Sequence, residues 1–346
     1  MITLQKQEVT STDLIRTIAC LGVITLHVLF DYNWQEEGSS LLWWLTDLLH
    51  EVAKPSVALF VMVSGAYLLD PDKPFHFVAF WKKRIAQVVL PFLLWSGVYA
   101  LANRVPANAI FGKFLSQDIE AHLWFVYMLL GLYAVLPLLR MVVKRFGTPG
   151  AAILVGTWFG ILVYLAVSDQ FNDQWLVALF SGYFLGGYLL RKIKIPTAWL
   201  VPGILLVVAA NTALYHSLEA SSDGWFDEDY SMLCDAGPPV VALSVLAFAA
   251  FLKADRLELP RVLTRGIKLL AHASYGIYLA HPLVQTALAD GWLGFSLDGE
   301  TGGPFLGIPL SIATVTLLTV ILLYLLEKIP GARALAAYRN ETKANR

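Results

Sequence analysis

The chain has 346 residues, with 25 Lys+Arg against 26 Asp+Glu and a formal net charge of −1. Hydrophobic residues make up 57% and charged residues only 15%, where an ordinary soluble domain carries about 45–50% and about 25%; the mean hydropathy is +0.62. So few charges cannot cover a water-facing surface, and the same figures exclude a disordered chain, a disulfide scaffold and a nucleic-acid binder with a basic face.

The composition is that of an integral membrane protein, and the length of its apolar runs makes it all-α. A helix crossing a bilayer core of about 30 Å needs roughly 20 mostly apolar residues. Such runs lie near 14–30, 53–69, 85–103, 123–141, 151–168, 175–190, 197–216, 238–253, 270–289 and 304–326. They predict a single bundle of about ten transmembrane helices, one domain over 1–346. The first run has no small-residue cleavage site after it and is expected to remain as a spanning helix rather than a removed signal peptide. The stretch 41–52, with Trp43, Trp44, Asp47, His50 and Glu51, is too short and too mixed to cross alone. It reads as an interfacial amphipathic helix leading into the second span. Cys20 sits in an apolar run and Cys234 in a polar loop, so no bridge between them is expected. There is no internal repeat of the inverted-transporter kind.

Ten spans place both termini on one side. If that side is the cytoplasm, the inner segments hold Lys6; Lys73, Lys82, Lys83 and Arg84; Arg140, Lys144 and Arg145; and Arg191, Lys192 and Lys194. They also hold Lys253, Arg256, Arg261, Arg265 and Lys268, and in the tail Lys328, Arg333, Arg339, Lys343 and Arg346, making 21 of the 25 basic residues. Only Lys54, Arg104 and Lys113 fall outside, and Arg16 lies within the first span. The positive-inside rule therefore predicts cytoplasmic N and C termini. Acidic residues cluster oppositely, at 31–37 and in the longest outer loop, 219–235, whose charge run reads as solvated surface.

An ionisable residue inside a span costs a few kcal/mol on insertion scales and is a functional-site hypothesis by default. The first span holds Asp13, Arg16 and, eleven residues after the arginine, His27. At 100° per residue that separation falls only about 20° past three full turns, so Arg16 and His27 share a helix face about 16 Å apart along the axis. A guanidinium near the inner mouth suits a phosphate or carboxylate. An imidazole nearer the outer half suits proton transfer. The spacing alone leaves equally open an arginine that snorkels to the interface and a histidine merely hydrogen-bonded in the bundle.

Further features follow along the chain. Ser64-Gly65 in the second span also reads as a small-residue helix contact, and Lys82-Lys83-Arg84 as a topology anchor. His122-Leu123-Trp124-Phe125 opens the fourth span at the outer interface, where tryptophan is common. In the ninth span, His281-Pro282 follows Ser274, Tyr275, Gly276, Ile277 and Tyr278, and the proline implies a freed carbonyl and a kink.

In this order the motifs resemble a known family. They are D-x-x-R-x10-H (Asp13, Arg16, His27), F-x-x-x-S-G-x-x-L (Phe60 to Leu68), and a basic cluster before a proline-containing span (Lys83, Arg84, Pro91). H-L-W-F…Y…P-L (His122 to Leu138) and S-x-G-I-Y-L-x-H-P (Ser274 to Pro282) complete the set. The chain is similar over nearly its whole length to the membrane-bound acyltransferase family 3. It most resembles the stand-alone members that O-acetylate a cell-envelope glycan, since no fused extracytoplasmic esterase domain is expected after Glu327.

The resemblance implies a multi-pass protein of the cytoplasmic (inner) membrane that moves an acyl group, usually acetyl, from cytoplasmic acyl-CoA to a hydroxyl of an extracytoplasmic or lipid-linked glycan. Acetyl-CoA would be a co-substrate, with no permanently bound cofactor. The family's arginine and histidine map onto Arg16 and His27 as the catalytic residues: His27 as general base, and Arg16, with Lys83 and Arg84, also toward the coenzyme's phosphates. Asp13, Ser64, His122, Trp124, Tyr278 and His281 are then candidates for the substrate pocket. Many members carry a second arginine three residues after the first in the basic cluster; here Arg84 is followed by Gln87. No metal-ligand spacing is seen in the sequence, and no metal, and no nucleic-acid partner, is expected. A transporter or flippase for a lipid-linked sugar, or a non-catalytic export component, would share the spans and the charge asymmetry.

Overall fold

The computed structural model describes residues 8–31, 41–168, 176–221, 237–299, 301 and 303–337. Cys234, most of the acidic loop 219–235, the acidic stretch after Asp31, Lys6 and the last three basic residues of the tail lie outside the described residues. The described chain is helical throughout, with one isolated antiparallel bridge, Val9 to Leu257. In order come α1 (Ser11–Asp31), α2 (Leu41–Ala53), α3 (Ser56–Leu68), α4 (Phe77–Arg84), a π-helical turn (Ile85–Val89), α5 (Leu90–Ala102) and α6 (Ile110–Leu115). Then follow α7 (Trp124–Val167), α8 (Leu176–Lys192), α9 (Leu200–Ser221), α10 (Pro238–Lys253), α11 (Arg261–Ala289), α12 (Pro304–Lys328) and the short turn α13 (Arg333–Ala336).

Among the described residues six helical stretches are long and apolar enough to cross a membrane. They are Ser11–Phe30, Trp44–Leu68, Phe77–Ala102, Ala121–Ala166, Thr197–Leu214 and Phe305–Lys328. The fourth is double. Gly147 leaves helical geometry at φ 61, ψ −152, a conformation open to glycine and costly for other residues, and it divides α7 where the sequence separates two apolar runs. α8, with 17 residues, and α10, with 16, are apolar but shorter.

The outside of the bundle is apolar, with Phe30, Leu101 and Val262 each at least 80% exposed. A water-soluble fold would not leave so much apolar surface open; a lipid-facing one must. α2 shows the same inversion. Trp44, Leu45, Leu48, Leu49 and Val52 point outward while Thr46, Asp47 and Glu51 are buried. Lys54 forms a buried ion pair with Glu51, and Asn211 of α9 donates to the other Glu51 oxygen. The polar side of 41–52, expected to lie at an interface, is therefore the side that packs inward.

Close helix contacts rest on glycine. A side chain on Gly65 of α3 would collide with the Phe184 carbonyl of α8, and one on Gly187 of α8 with the Met62 carbonyl of α3. The pair closes the two helices reciprocally, in the manner of small-residue packing in membranes. At the end of α3, Arg140 donates to the carbonyls of Leu68 and Lys73, and Arg191 to that of Ala66 at 3.0 Å. These cations satisfy carbonyls that a helix C-terminus leaves open.

Candidate active site

Arg16, Ser64, Arg84 and Tyr278, from four different helices, line one cavity of about 340 Å³. Its wall also includes Gln87, Tyr133, His272, Ser274, Tyr275 and, from the C-terminal segment, Arg333. Three guanidiniums face it, and neither Asp nor Glu is among its described lining residues.

The basic cluster is the last turn of α4, and irregular backbone follows it. Pro91 has no N–H to bond the carbonyl four residues back, and the π-helical turn Ile85–Val89 lies directly before it; such turns recur at functional sites. The turn brings Gln87 and Val88 onto the cavity wall, and Tyr275 of α11 donates to the Val88 carbonyl at 2.9 Å. Arg84 precedes the turn. Its guanidinium lies 5.0 Å from the Phe80 ring centroid and 4.9 Å from that of Tyr133, and its Nε is buried without a hydrogen-bond partner among the described residues. Stacked rings hold the cation in place and leave its donors for a ligand.

Phe125 and Tyr278, whose rings are 5.1 Å apart, form part of the cavity wall. Behind Tyr278 three imidazoles converge from three helical elements. His27 of α1 and His281 of α11 are 4.9 Å apart between centroids, His27 and His122 are 6.2 Å apart, and His122 and His281 are 5.9 Å apart. Tyr278 donates to the backbone carbonyl of His122, Tyr99 donates to that of Leu279 at 2.8 Å, and Gln285 donates to that of His27 at 3.0 Å.

The His281-Pro282 motif explains itself here. Pro282 cannot donate to the Tyr278 carbonyl four residues back. His281 Nδ1 lies 2.9 Å from that carbonyl and 2.9 Å from the Ile277 carbonyl. Both neighbours are acceptors, so Nδ1 carries the proton and Nε2 is left as a bare lone pair. That Nε2 is fully buried and has no hydrogen-bond partner among the described residues.

The other sequence candidates lie elsewhere. Asp13 accepts from the Thr10 hydroxyl at 2.8 Å and from the Thr10 backbone N–H at 3.2 Å, while the Asp13 N–H donates to the Thr10 hydroxyl at 3.2 Å. This is a reciprocal cap on the start of α1. Lys83 is exposed on α4, away from the cavity wall. Trp124 packs on Phe180 with centroids 5.7 Å apart. His27, His122 and His281 form the cluster rather than the cavity lining. The sequence reading did not find His272, Tyr133 or Arg333, and spacing along the chain carries no signal for them.

Among the described residues one group has metal-ligand spacing: Asp47, His50 and Glu51, with ligand atoms within 4.8 Å of one another. Glu51 is already bound by Lys54 on one oxygen and by Asn211 on the other, so its carboxylate is satisfied by the protein itself.

The family model described as an acyltransferase domain matches residues 9–326. No curated protein and no solved structure matches the chain. The match takes in the arginine and histidine of α1, the α3 to α5 region and the His-Pro motif of α11. The chain is a membrane acyltransferase and belongs to the membrane-bound acyltransferase family 3.

Proposed function

We propose that the protein transfers an acyl group, acetyl by family habit, from cytoplasmic acyl-CoA to a hydroxyl of an extracytoplasmic or lipid-linked glycan. One observation supports the reading above all. A cavity lined by Arg16, Arg84 and Arg333, with neither Asp nor Glu among its described lining residues, shares Tyr278 with a cluster of three imidazoles, two of which pack on its ring. Guanidiniums suit the coenzyme's phosphates, which they grip through parallel N–H donors. Imidazoles suit removal of a hydroxyl proton near neutral pH.

In this reading both termini are cytoplasmic, as the 21 inner basic residues favour, and the arginine cavity opens toward the donor. His27 takes the proton of the acceptor hydroxyl. The oxygen attacks the thioester carbonyl, a C–O bond forms, the C–S bond breaks, and the departing thiolate recovers the proton from the His27 imidazolium. No covalent enzyme intermediate is needed. His281, with its lone pair aimed away from its own helix carbonyls, is placed to orient a substrate hydroxyl or His27 itself. The acyl arm must pass Phe125 and Tyr278 to reach His27, which favours a short chain.

The test is transfer by the purified protein in detergent. Acetyl-CoA and glycan from a deletion strain should yield free coenzyme thiol and an acceptor heavier by one acyl group. No thiol release and no mass gain, with the protein folded, would overturn the reading in favour of a transporter of lipid-linked sugar.

A further inference from the structure

The chain does not leave the bundle at the end of its last long helix. After Lys328 it turns through Gly331, at φ 89, into the short turn Arg333–Ala336, and ends its described course at Ala337, a left-handed residue with φ 48. Ala336 is fully buried. Two contacts seat the segment. Trp95 of α5 donates its indole N–H to the Leu335 carbonyl at 2.9 Å. The Ala336 carbonyl lies so close to Gly276 of α11 that any side chain there would collide with it. Arg333 is itself tethered, its Nε donating to the Glu327 carbonyl at 3.2 Å.

This returning segment supplies Arg333, Ala334 and Ala337 to the wall of the cavity that Arg16 and Arg84 line. It lies beyond residue 326, where the family match ends. The third cation of the cavity therefore comes from a part of the chain that the family model does not include, while Gln87, on the wall next to Arg84, is neutral. Three guanidiniums on the wall of one cavity favour an anion within it.

We infer that the C-terminal segment is a working part of the donor site: Arg333 binds a phosphate of coenzyme A together with Arg16 and Arg84, and the seated backbone closes the wall around it. The inference rests on the coenzyme A donor proposed above. Arg333 is exposed, so its substitution should leave the fold intact, and Trp95 and Gly276 make the segment's position a property of the bundle.

The experiment is titration of coenzyme A, and separately of pantetheine, into the full-length protein in nanodiscs. Arg333→Gln should weaken coenzyme A binding by about ten-fold or more, as expected for losing a charge-assisted hydrogen bond. It should also lessen the salt dependence and leave pantetheine, which has no phosphate, unchanged. Gly276→Val keeps every cation but displaces the segment, and should weaken coenzyme A to a similar degree. Coenzyme A should slow hydrogen exchange over 329–337 in the parent and not in Arg333→Gln. Unchanged affinity in Arg333→Gln, with a parent that binds normally, overturns the inference and leaves the donor reading standing. A parent that binds no coenzyme A overturns both. Tighter binding in Gly276→Val would make the segment an obstruction, and overturns it too.

Discussion

The arginine cavity and the imidazole cluster are one aromatic ring apart and are built on opposite terms. The cavity gathers cations from α1, α4 and the C-terminal segment around about 340 Å³ of space, with Arg84 held against ring faces and Arg333 by a carbonyl contact. The cluster packs three imidazoles at 4.9–6.2 Å, and pins one proton between two carbonyls. Attraction between charges falls off slowly with distance, so a phosphate site tolerates loosely held groups. Proton transfer works only within hydrogen-bond reach and in the right tautomer, so its residues are fixed by backbone. In the proposed reaction the difference gives binding to one region and chemistry to the other.

The sharpest break is at His27. His27→Ala should lower transfer by about 10²–10⁴-fold, the usual worth of a general base, while coenzyme A binding stays at the parental value because the arginine cavity is untouched. His27→Gln should fail as well, since an amide hydrogen-bonds but takes no proton near neutral pH. An active glutamine variant would remove the division of labour between the two regions.

A second break acts on the cavity wall alone. Gly65 adjoins Ser64, which lines the cavity, and its missing side chain lets α3 meet the Phe184 carbonyl of α8. Gly65→Val should cost about 1–3 kcal/mol through overpacking, read as a lower melting temperature, and should loosen coenzyme A binding. If melting and binding are both unaltered, α3 does not shape the donor cavity. A milder variant, Arg16→Lys, keeps the charge and loses the planar fork. It should raise the KM for acyl-CoA about ten-fold, with kcat nearly kept; a kcat loss as large as that of His27→Ala would place Arg16 in the chemistry instead.

These variants also mark how much the sequence discloses. Arg16 and His27 are legible because an eleven-residue step on a helix fixes a common face, and the apolar runs show through because lipid permits no polar exterior. The meeting of His27 with His122 and His281 is not legible, since it depends on how three elements far apart in the chain pack together. Nor is the inward face of α2: Asp47, Glu51 and Lys54 in a mixed stretch read as surface until Asn211 of α9 is seen beside them. Arg333 reads as one more basic residue of a tail, because nothing in 329–337 signals that Trp95 and Gly276 will seat it.

The smallest effect expected is at Asp13, and it tests where the site begins. In the sequence, Asp13 belongs to the same motif as Arg16 and His27, which makes it a candidate for the pocket. In the structure its carboxylate receives both donors of Thr10 and its own N–H returns the bond, so it caps α1. Losing an N-terminal cap costs about 0.5–2 kcal/mol. Asp13→Ala should therefore lower the melting temperature by a few degrees, while the kcat for transfer and the affinity for coenzyme A stay within about two-fold of the parent, since the motif's arginine sits one turn further along the helix. Asp13→Asn should recover part of the loss, because an amide oxygen still accepts from Thr10. A drop in kcat without a drop in melting temperature would reverse the assignment: the carboxylate would then act on the substrate or on Arg16, and the reacting region would extend to the first turn of α1.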